Sequence, residues 1–594
     1  MKNVKTTKLT FCAMSIALIL FAGFLTATVE ATVSPNVNLS KLTGYQGETT
    51  IAIDPTNPNR MFAASNIGSG SGMFAAYSTD GGTTWAYTDP TDKVIGDGDP
   101  DNVPAACCDP IAIFDKFGNL YLAYLSSGIA VRVVVSTNGG QSFSGTNFAG
   151  EEFGNFPVPG DKDKPYAELE RKGDGKEDGE GVINQSGDQP TIATGPSFFA
   201  GEASVYVSWN GGGVIRTAGT RASGLGAITP FDNTFIATPV AGNYGDIEVG
   251  PIGQVLVTAQ VATGGQGPTN INVSLDPDGL GPANFNQQTS IPINQKPIYM
   301  SIIDNFGAAV LVTSTNVGGF DFIPAQPNRS VDAEADLSWD KSGGANNGRV
   351  YLAYTEETVN ENNDMDILVR FSNNNGATWS APVKANDDVT TRSQFLPRIE
   401  VDQTTGYVAV AFYDARNSAG NNTTQVFGAV SFNGGTSFAT NELISQGTSN
   451  SGTFANGNDY GDYNGLAFHS GKYFYIWSDN SNFTADNPNS ANSSPDIYTA
   501  KVTVTAPTAA YVSVAGRVFA SSGGGLSNAL VYLTDAQGNT QTRRTNTFGY
   551  YNFDELAAGQ TVVVTVVSKR FQFAPQVVNL AESVTDLNFY APPQ

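Results

Sequence analysis

The 594-residue chain sets 31 lysines and arginines against 55 aspartates and glutamates, a formal net charge of −24, with one histidine and three cysteines. So acidic a surface repels nucleic acid and anionic membranes and favours cations or neutral ligands. With His469 as the sole histidine, a histidine-based triad, a histidine-ligated zinc cluster and haem are excluded, and so few cysteines build no disulfide framework.

Lys2, Lys5 and Lys8 precede an apolar run from Phe11 to Leu25 and then Val29-Glu30-Ala31. A positive start, a short apolar core and a small-residue site predict a secretory signal over 1–31, cut near Ala31, and therefore an exported protein. The rival reading is an uncleaved anchor, for which the apolar run is short. Cys12 comes too early for a lipoprotein cysteine, and no later stretch is apolar enough to span a membrane.

Between residues 46 and 505, seven segments share one plan: a polar start, an apolar strand, a turn and a more hydrophobic strand. They start at Glu48, Asp109, Gln189, Tyr244, Glu334, Leu396 and Asp462. Pro110, Pro190 and Pro397 fall at equivalent places, and Asp54, Asp115, Asp340 and Asp402 close the first strand of their units. Each unit reads as a four-stranded blade that must stack on its neighbours to bury both faces. Seven blades are counted, with six as the alternative. Ser290–Ser330 fits no unit, and the acidic insertion 151–187 reads as a solvated loop. The adjacent Cys107 and Cys108 allow a strained vicinal disulfide, but two thiols at a strand start are the expectation. His469 reads as a turn residue, and Trp209 and Trp477 as core.

After a linker at 506–511, residues 512–594 carry short strands of a different kind, at Gly516–Phe519, Ala529–Leu533, Thr545–Phe553, Thr561–Val567 and Thr585–Phe589. Gly516-Arg517-Val518, Asn528-Ala529-Leu530-Val531 and Thr545-x-x-x-Gly549-x-Tyr551-x-Phe553 resemble the carboxypeptidase regulatory-like domain. The resemblance implies a small transthyretin-like β-sandwich, structural or adhesive and not catalytic.

An eight-residue pattern, Ser-x-(Asp/Asn)-x-Gly-x-(Thr/Ser)-(Trp/Phe), occurs four times. Its fixed positions are Ser78, Asp80, Gly82 and Trp85; Ser136, Asn138, Gly140 and Phe143; Ser372, Asn374, Gly376 and Trp379; and Ser431, Asn433, Gly435 and Phe438. The Asp or Asn bonds amides further along the turn, glycine supplies positive φ, and the aromatic ring anchors the turn. A degenerate fifth copy starts at Ser274. The pattern is that of the Asp-box, and 46–505 resembles the sialidase-like Asp-box (BNR-repeat) β-propellers. The fold class implied is all-β: a six- or seven-bladed propeller followed by a β-sandwich.

Aligning the units puts Glu48, Asp109, Gln189, Glu334 and Asp462 at one level of the axis, with Asp246 and Arg398 two positions inward. They form either a ring of acids relieved by one arginine, suited to a polyol such as a glycan, or a set of turn caps. The sialidases that the chain resembles hold a substrate carboxylate with three arginines and use a Tyr/Glu nucleophile pair and an Asp acid/base. Here only Arg398, with Arg216 or Arg416 as poor seconds, and Tyr460 with Glu248 offer themselves, and they make no coherent set. Asp97, Asp99 and Asp101 alternate as in a calcium loop, yet Asn102 and Cys108 stand where an EF-hand has Gly and Glu. A structural calcium of another geometry or a simple acidic turn are the two readings.

The chain is thus expected to be an exported monomer, non-catalytic, binding an extracellular glycan or protein ligand at its axis. The alternatives are a glycoside hydrolase using funnel carboxylates and a purely structural surface protein.

Overall fold

The computed structural model describes residues 30–593 except 69–70, 100, 128, 145–186, 230, 232–235, 262–263, 282–305, 360–361, 506–510, 536–537, 559 and 581–582. The insertion at 151–187 therefore lies outside the described residues apart from Gly187, as do the signal segment before Glu30 and most of the linker. Two compact units result, Ala31–Thr505 and one that holds Ala506–Gln594.

The larger unit is built, among the described residues, from seven antiparallel sheets in chain order. Their first strands are Gln46–Ile53, Ala106–Phe114, Asp188–Pro196, Asn243–Val249, Asp336–Trp339, Gln394–Val401 and Gly465–His469. These pack on one another in succession, and Gly465–His469 packs back on Gln46–Ile53 to close the ring. The fold is a β-propeller. Residues ahead of position 46 join it, because Glu30–Val33 and Val37–Asn38 complete the seventh sheet beside Asp496–Thr505.

The apolar cores lie between sheets. Met61 and Ala63 of the first sheet cluster with Phe474 and Ile476 of the seventh, and Phe62 and Ala64 with Leu120 and Leu122 of the second. The same division continues round the ring, down to Tyr413 and Val426 of the sixth sheet against Tyr473 and Tyr475 of the seventh. A sheet buried on both faces reads as a continuous apolar run, as Leu120-Tyr121-Leu122-Ala123-Tyr124-Leu125 does, all of it buried. Trp209 and Trp477 are likewise core.

The four repeated turns share one geometry. The serine hydroxyl oxygen accepts from the fixed glycine's N–H, at 3.0 Å in Ser78–Gly82, 2.9 Å in Ser136–Gly140, 2.9 Å in Ser372–Gly376 and 2.8 Å in Ser431–Gly435. The Asp or Asn carbonyl oxygen accepts from the amide four residues on, at 2.8–3.1 Å. Asp80 accepts the Thr84 hydroxyl proton, whereas Asn138, Asn374 and Asn433 donate to the hydroxyls of Ser142, Thr378 and Ser437.

The fixed glycine of each turn faces the second strand of the preceding sheet. A Cβ on Gly82 would sit 2.6 Å from Phe474, one on Gly376 3.0 Å from Leu256, one on Gly435 2.9 Å from Tyr351, and one on Gly140 inside the Phe62 ring. All four have φ between 76° and 89°. The repeat is therefore a clamp between sheets as well as a turn. The degenerate copy keeps that role: Asp276 accepts from Gly279 N–H at 2.9 Å, and Leu280 N–H reaches the Tyr206 hydroxyl of the preceding sheet at 2.8 Å.

Two expectations need correcting. Ser290–Ser330 is not outside the pattern where it is described, because Val310–Thr315 is the fourth strand of the fourth sheet. A hairpin then follows at Asp321–Ile323 and Gln326–Val331. Cys107 and Cys108 form a disulfide and are not free thiols. They sit in Ala106–Phe114 where the strand register breaks on both sides of Cys108, so the backbone there is released from ladder geometry.

In the smaller unit, Tyr511–Phe519, Tyr550–Ala557 and Phe589–Tyr590 form one sheet. Leu530–Thr534, Thr540–Arg544, Thr561–Val567 and Gln576–Asn579 form the other. Val514, Val531, Phe553, Val564 and Phe589 share one core. Thr540–Arg544 and Gln576–Asn579 lack strong apolar alternation and were not expected as strands. Asn546–Gly549 is a turn, with Gly549 at φ 85°.

Candidate functional site: the axial funnel

Six of the seven unit starts adopt the left-handed backbone region: Glu48 (φ 51°), Asp109 (58°), Gln189 (43°), Tyr244 (53°), Glu334 (42°) and Leu396 (50°). A non-glycine residue there costs roughly 1–2 kcal/mol, and strain repeated at one level of a ring is characteristic of a functional surface. In five of these sheets the first strand slips register at or beside that residue. The bulge releases side chains from the ladder at one end of every such strand.

At the outer level Glu48 and Asp109 meet. Asn66 Nδ2 donates to Glu48, and Asn66 Oδ1 accepts from Asp109 N–H at 2.6 Å, so the two carboxyl groups share one asparagine. Burial first, and then Asp109 and Asp462, hold Glu48 far above the ordinary carboxylate range; burial and Asp188 push Asp109 up to about 6. Asp109 also accepts from Gln189 N–H of the next sheet at 3.1 Å, and Gln189 accepts from Asn210 at 3.1 Å. Asp332 is buried, takes Glu334 N–H at 2.6 Å, and is pushed up by burial to about 8.

Two residues further in, Arg398 pairs with Asp336 at 2.8 Å and with Glu334 at 3.5 Å. Asp246 lies close enough to act on both Arg398 and Asp336. Their outer oxygens take amides of the next sheet, Leu337 N–H on Asp246 at 2.8 Å and Ile399 N–H on Asp336 at 2.6 Å. Burial raises Glu334 and Asp336 well above the usual range and Asp246 less far. Burial would lower Arg398, but Asp336, Asp246 and Glu334 outweigh it and raise it. Deeper still, Lys341 binds Glu248 at 3.0 Å, and burial followed by Glu248 raises Glu400 strongly.

The hairpin Asp321–Ile323/Gln326–Val331 supplies what the repeats do not. Arg329 Nε donates to Asp462 at 2.7 Å, its Nη2 contacts the same carboxylate, and Glu48 lies 3.4 Å away. Asp459 fixes the arm by accepting from Asn328 and Arg329 N–H at 2.7 and 2.9 Å. Tyr244 and Phe320 meet edge to face at 6.2 Å, with Phe320 exposed. A cavity at the axis is lined by Thr191, Tyr244, Asp246, Glu334, Arg398 and Tyr463, among others. The hydroxyls of Tyr45 and Tyr463 are buried without a hydrogen-bond partner among the described residues.

The structure thus brings Glu48, Asp109, Gln189, Glu334, Asp246, Arg398 and Asp462 to one funnel. Asp109 and Asp246 do cap backbone amides, but those of Gln189 and Leu337 in the neighbouring sheet instead of their own turn. Asp336 escaped sequence reasoning although it stands two residues after Glu334, the offset that Asp246 and Arg398 keep from their own unit starts. Arg329 carried no repeat signal at all.

Neither of the other two candidate arginines joins Arg398 among the described residues. Arg216 is on the third strand of its sheet, donating to Gly211 O at 3.2 Å. Arg416 is held by Asp414 and Asp387, each at 2.7 Å, over the Phe427 ring. Tyr460 stacks on Tyr413 at 4.3 Å and bonds Thr424 at 2.8 Å, apart from Glu248, which Lys341 holds. Oxygens of Asp97, Asp99 and Asp101 lie within 4.8 Å of one another, as do those of Asp89, Asp92 and Asp99. Asp101 accepts from Gly96 and Val103 N–H, so the loop is tied by its own carboxylate. His469 ends its strand with Nδ1 2.9 Å from the Ser470 hydroxyl. Among the described residues no helix is long and apolar enough to cross a membrane.

No family model matches the chain, and no curated protein matches it. Among solved structures it is similar to a protein of unknown function from Dyadobacter fermentans, at TM-score 0.38 and 10% identity over 80% of this chain and 99% of that one. It is also similar to an α-L-arabinofuranosidase from Fusarium graminearum, at TM-score 0.36 and 12% identity over 67% and 98%. A Hadza microbial sialidase matches at TM-score 0.34 and 11% identity over 75% and 74%. The fold assignment rests on the sheets described above and not on these likenesses.

Proposed function

We propose that this is an exported, non-catalytic β-propeller protein that binds an extracellular glycan in its axial funnel. The observation that carries the reading is the pairing of funnel charges. Arg329 is taken by Asp462, and Arg398 by Asp336 and Glu334. Neither arginine is thus left to hold a substrate carboxylate in the way the sialidases that the chain resembles require. Hydroxyl-rich ligands suit such a site, because Gln189, the carboxyls, Tyr463 and Tyr244 offer donors, acceptors and a ring face. The test is a glycan array followed by calorimetry on any hit. Binding that Glu334→Gln abolishes, without turnover of the bound sugar, supports the reading; an array with no hit overturns it.

A second reading is a glycoside hydrolase. It is favoured by the buried acid Asp332, which burial raises to about 8 in the way a general acid requires, with Glu334 beside it raised in the same direction. Release of reducing sugar that Asp332→Asn abolishes would establish it over the first.

A further inference from the structure

The repeated turns and the first hairpins lie at the far end of the strands from the unit starts. Where the fourth and fifth sheets meet there, a cavity of about 320 Å³ is lined by Ile252, Gln254, Asn347, Arg349, Asn373 and Asn375, among others, and by no acidic residue. The third repeated turn departs from the other three at this place. They carry Gly81, Gly139 and Gly434 at φ 70°, 77° and 69°, whereas it carries Asn375 at φ 56°. They also have Thr79, Thr137 and Phe432 where it has Asn373. An asparagine in the left-handed region is less favourable than glycine, so this turn accepts a poorer backbone to place an amide at the cavity. Arg349 departs from its own counterpart as well. It and Arg60 both close a first hairpin, the carbonyl accepting from Asp340 N–H at 2.8 Å and from Asp54 N–H at 3.0 Å. Arg60 pairs with the Asp54 carboxylate. Arg349 donates to Asn373 Oδ1 at 2.8 Å and to Gly434 O at 2.5 Å, lies on the Phe371 ring, and forms no ion pair among the described residues.

The lining amides are oriented by donors that cannot accept. Ile252 N–H holds Gln254 Oε1 at 3.0 Å, Gln254 Nε2 then donates to Asn375 Oδ1 at 3.3 Å, and Gly343 N–H donates to Asn347 Oδ1 at 2.9 Å. Arg349 engages Asn373 Oδ1 in the same way. The Nδ2 groups of Asn347, Asn373 and Asn375 therefore remain as donors without a protein acceptor among the described residues, and of the lining amides Asn346 alone keeps an open oxygen. We propose that this cavity is a second ligand site, apart from the axis, for a sugar that carries an oxyanion, as a sulfate ester or a carboxylate. N–H donors beside an arginine without an acid partner suit an oxyanion. The cavity is larger than that group alone would fill, and Ile252, 71% exposed, offers an apolar edge to the sugar ring. The acidity of the whole chain does not forbid this, because screening over about 8 Å at physiological salt leaves the local field to Arg349.

The test is a ligand-observed NMR titration of the full chain with methyl glucoside 6-sulfate, methyl glucuronide, uncharged methyl glucoside and sodium sulfate. At least one charged sugar is expected to bind about tenfold more tightly than the uncharged one, the size of one charged hydrogen bond, and which of the two binds better assigns the oxyanion. Asn375→Gly restores the residue of the other three turns, so the fold is kept and affinity for the charged sugar falls about three- to tenfold. Arg349→Gln removes the preference for charge. Arg570→Gln, an exposed change in the smaller unit, subtracts the same charge and leaves affinity unchanged. Equal affinity for charged and uncharged sugars overturns the oxyanion selection. Inorganic sulfate binding as tightly as the sugar sulfate overturns the sugar as ligand. Charged-sugar binding that neither Asn375→Gly nor Arg349→Gln weakens overturns the site, and equal weakening by Arg570→Gln and Arg349→Gln assigns the attraction to overall charge and overturns it too. None of these outcomes bears on the axial reading, since Asn375 and Arg349 lie at the other end of the strands.

Discussion

The two ends of each sheet are governed by different constraints. At the outer turns four copies of one sequence make one geometry, so that Asp80 and Asn374 do the same work although only one is charged. At the axis the unit starts share a backbone conformation but no side chain: Glu48, Asp109, Gln189, Tyr244, Glu334 and Leu396 adopt the same φ for different ends. Repetition marks what the ring needs to assemble. Variation on a strained backbone marks what it is free to display at the axis.

The largest effect should come from breaking the clamp. Gly140→Val combines a left-handed backbone with a side chain driven into Phe62, and should destabilise the propeller by about 2–5 kcal/mol, read as a fall in denaturation midpoint. Next comes the pH response of the axis. Acids whose folded pKa is raised contribute stability fully below their unfolded pKa and lose it as pH rises through the folded value. With Asp109 at about 6 and Asp332 at about 8, the melting temperature should decline from pH 5 to pH 9, and Asp332→Asn should flatten that decline. Asp80 has the opposite sign: the hydroxyl and amide of Thr84 lower it to about 2, so its stabilisation persists until pH falls through that value. A melting temperature that rises between pH 5 and pH 9 would contradict the buried-acid account.

Smaller effects sharpen the contrast. The Arg329 side chain is 42% exposed, so Arg329→Ala should cost no more than about 1 kcal/mol in stability while changing ligand affinity severalfold. Stability loss well beyond that would make the arm a structural strut. Asn374→Asp should leave stability within about 0.5 kcal/mol, because the Thr378 hydroxyl need only turn from acceptor to donor, as Thr84 does beside Asp80.

Much of this fold could be read directly from residues. Apolar runs bounded by Asp54, Asp115, Asp340 and Asp402 announce first strands because each aspartate caps its own turn, taking the amides of Thr56, Phe117, Ser342 and Thr404. Five unit starts coincide with the bulged residues, since the start of an apolar strand is where a bulge at a funnel displays a side chain. The pairing at the axis was not legible, because neighbours there come from different sheets and their distances are set by closure of the ring. Arg329 was invisible for the complementary reason: it lies on a hairpin outside the repeat, where periodicity carries no information. The disulfide was misjudged because the broken register around Cys108 leaves no trace in composition.

The seventh sheet is shared between two parts of the chain far apart in sequence, with Lys501 N–H bound to the Ser34 hydroxyl across 467 residues. Its consequence is kinetic. The loop that this clasp closes spans nearly the whole propeller, so the ring can be sealed only after the last sheet has been made, and sealing is a late, entropically slow event. Once sealed, no sheet can peel away without unzipping either the clasp or a buried face on each side, which favours slow unfolding over high equilibrium stability. Residues 31–38 therefore act as a latch on lifetime. Their removal should shorten the protein's survival under protease far more than it shifts its melting point.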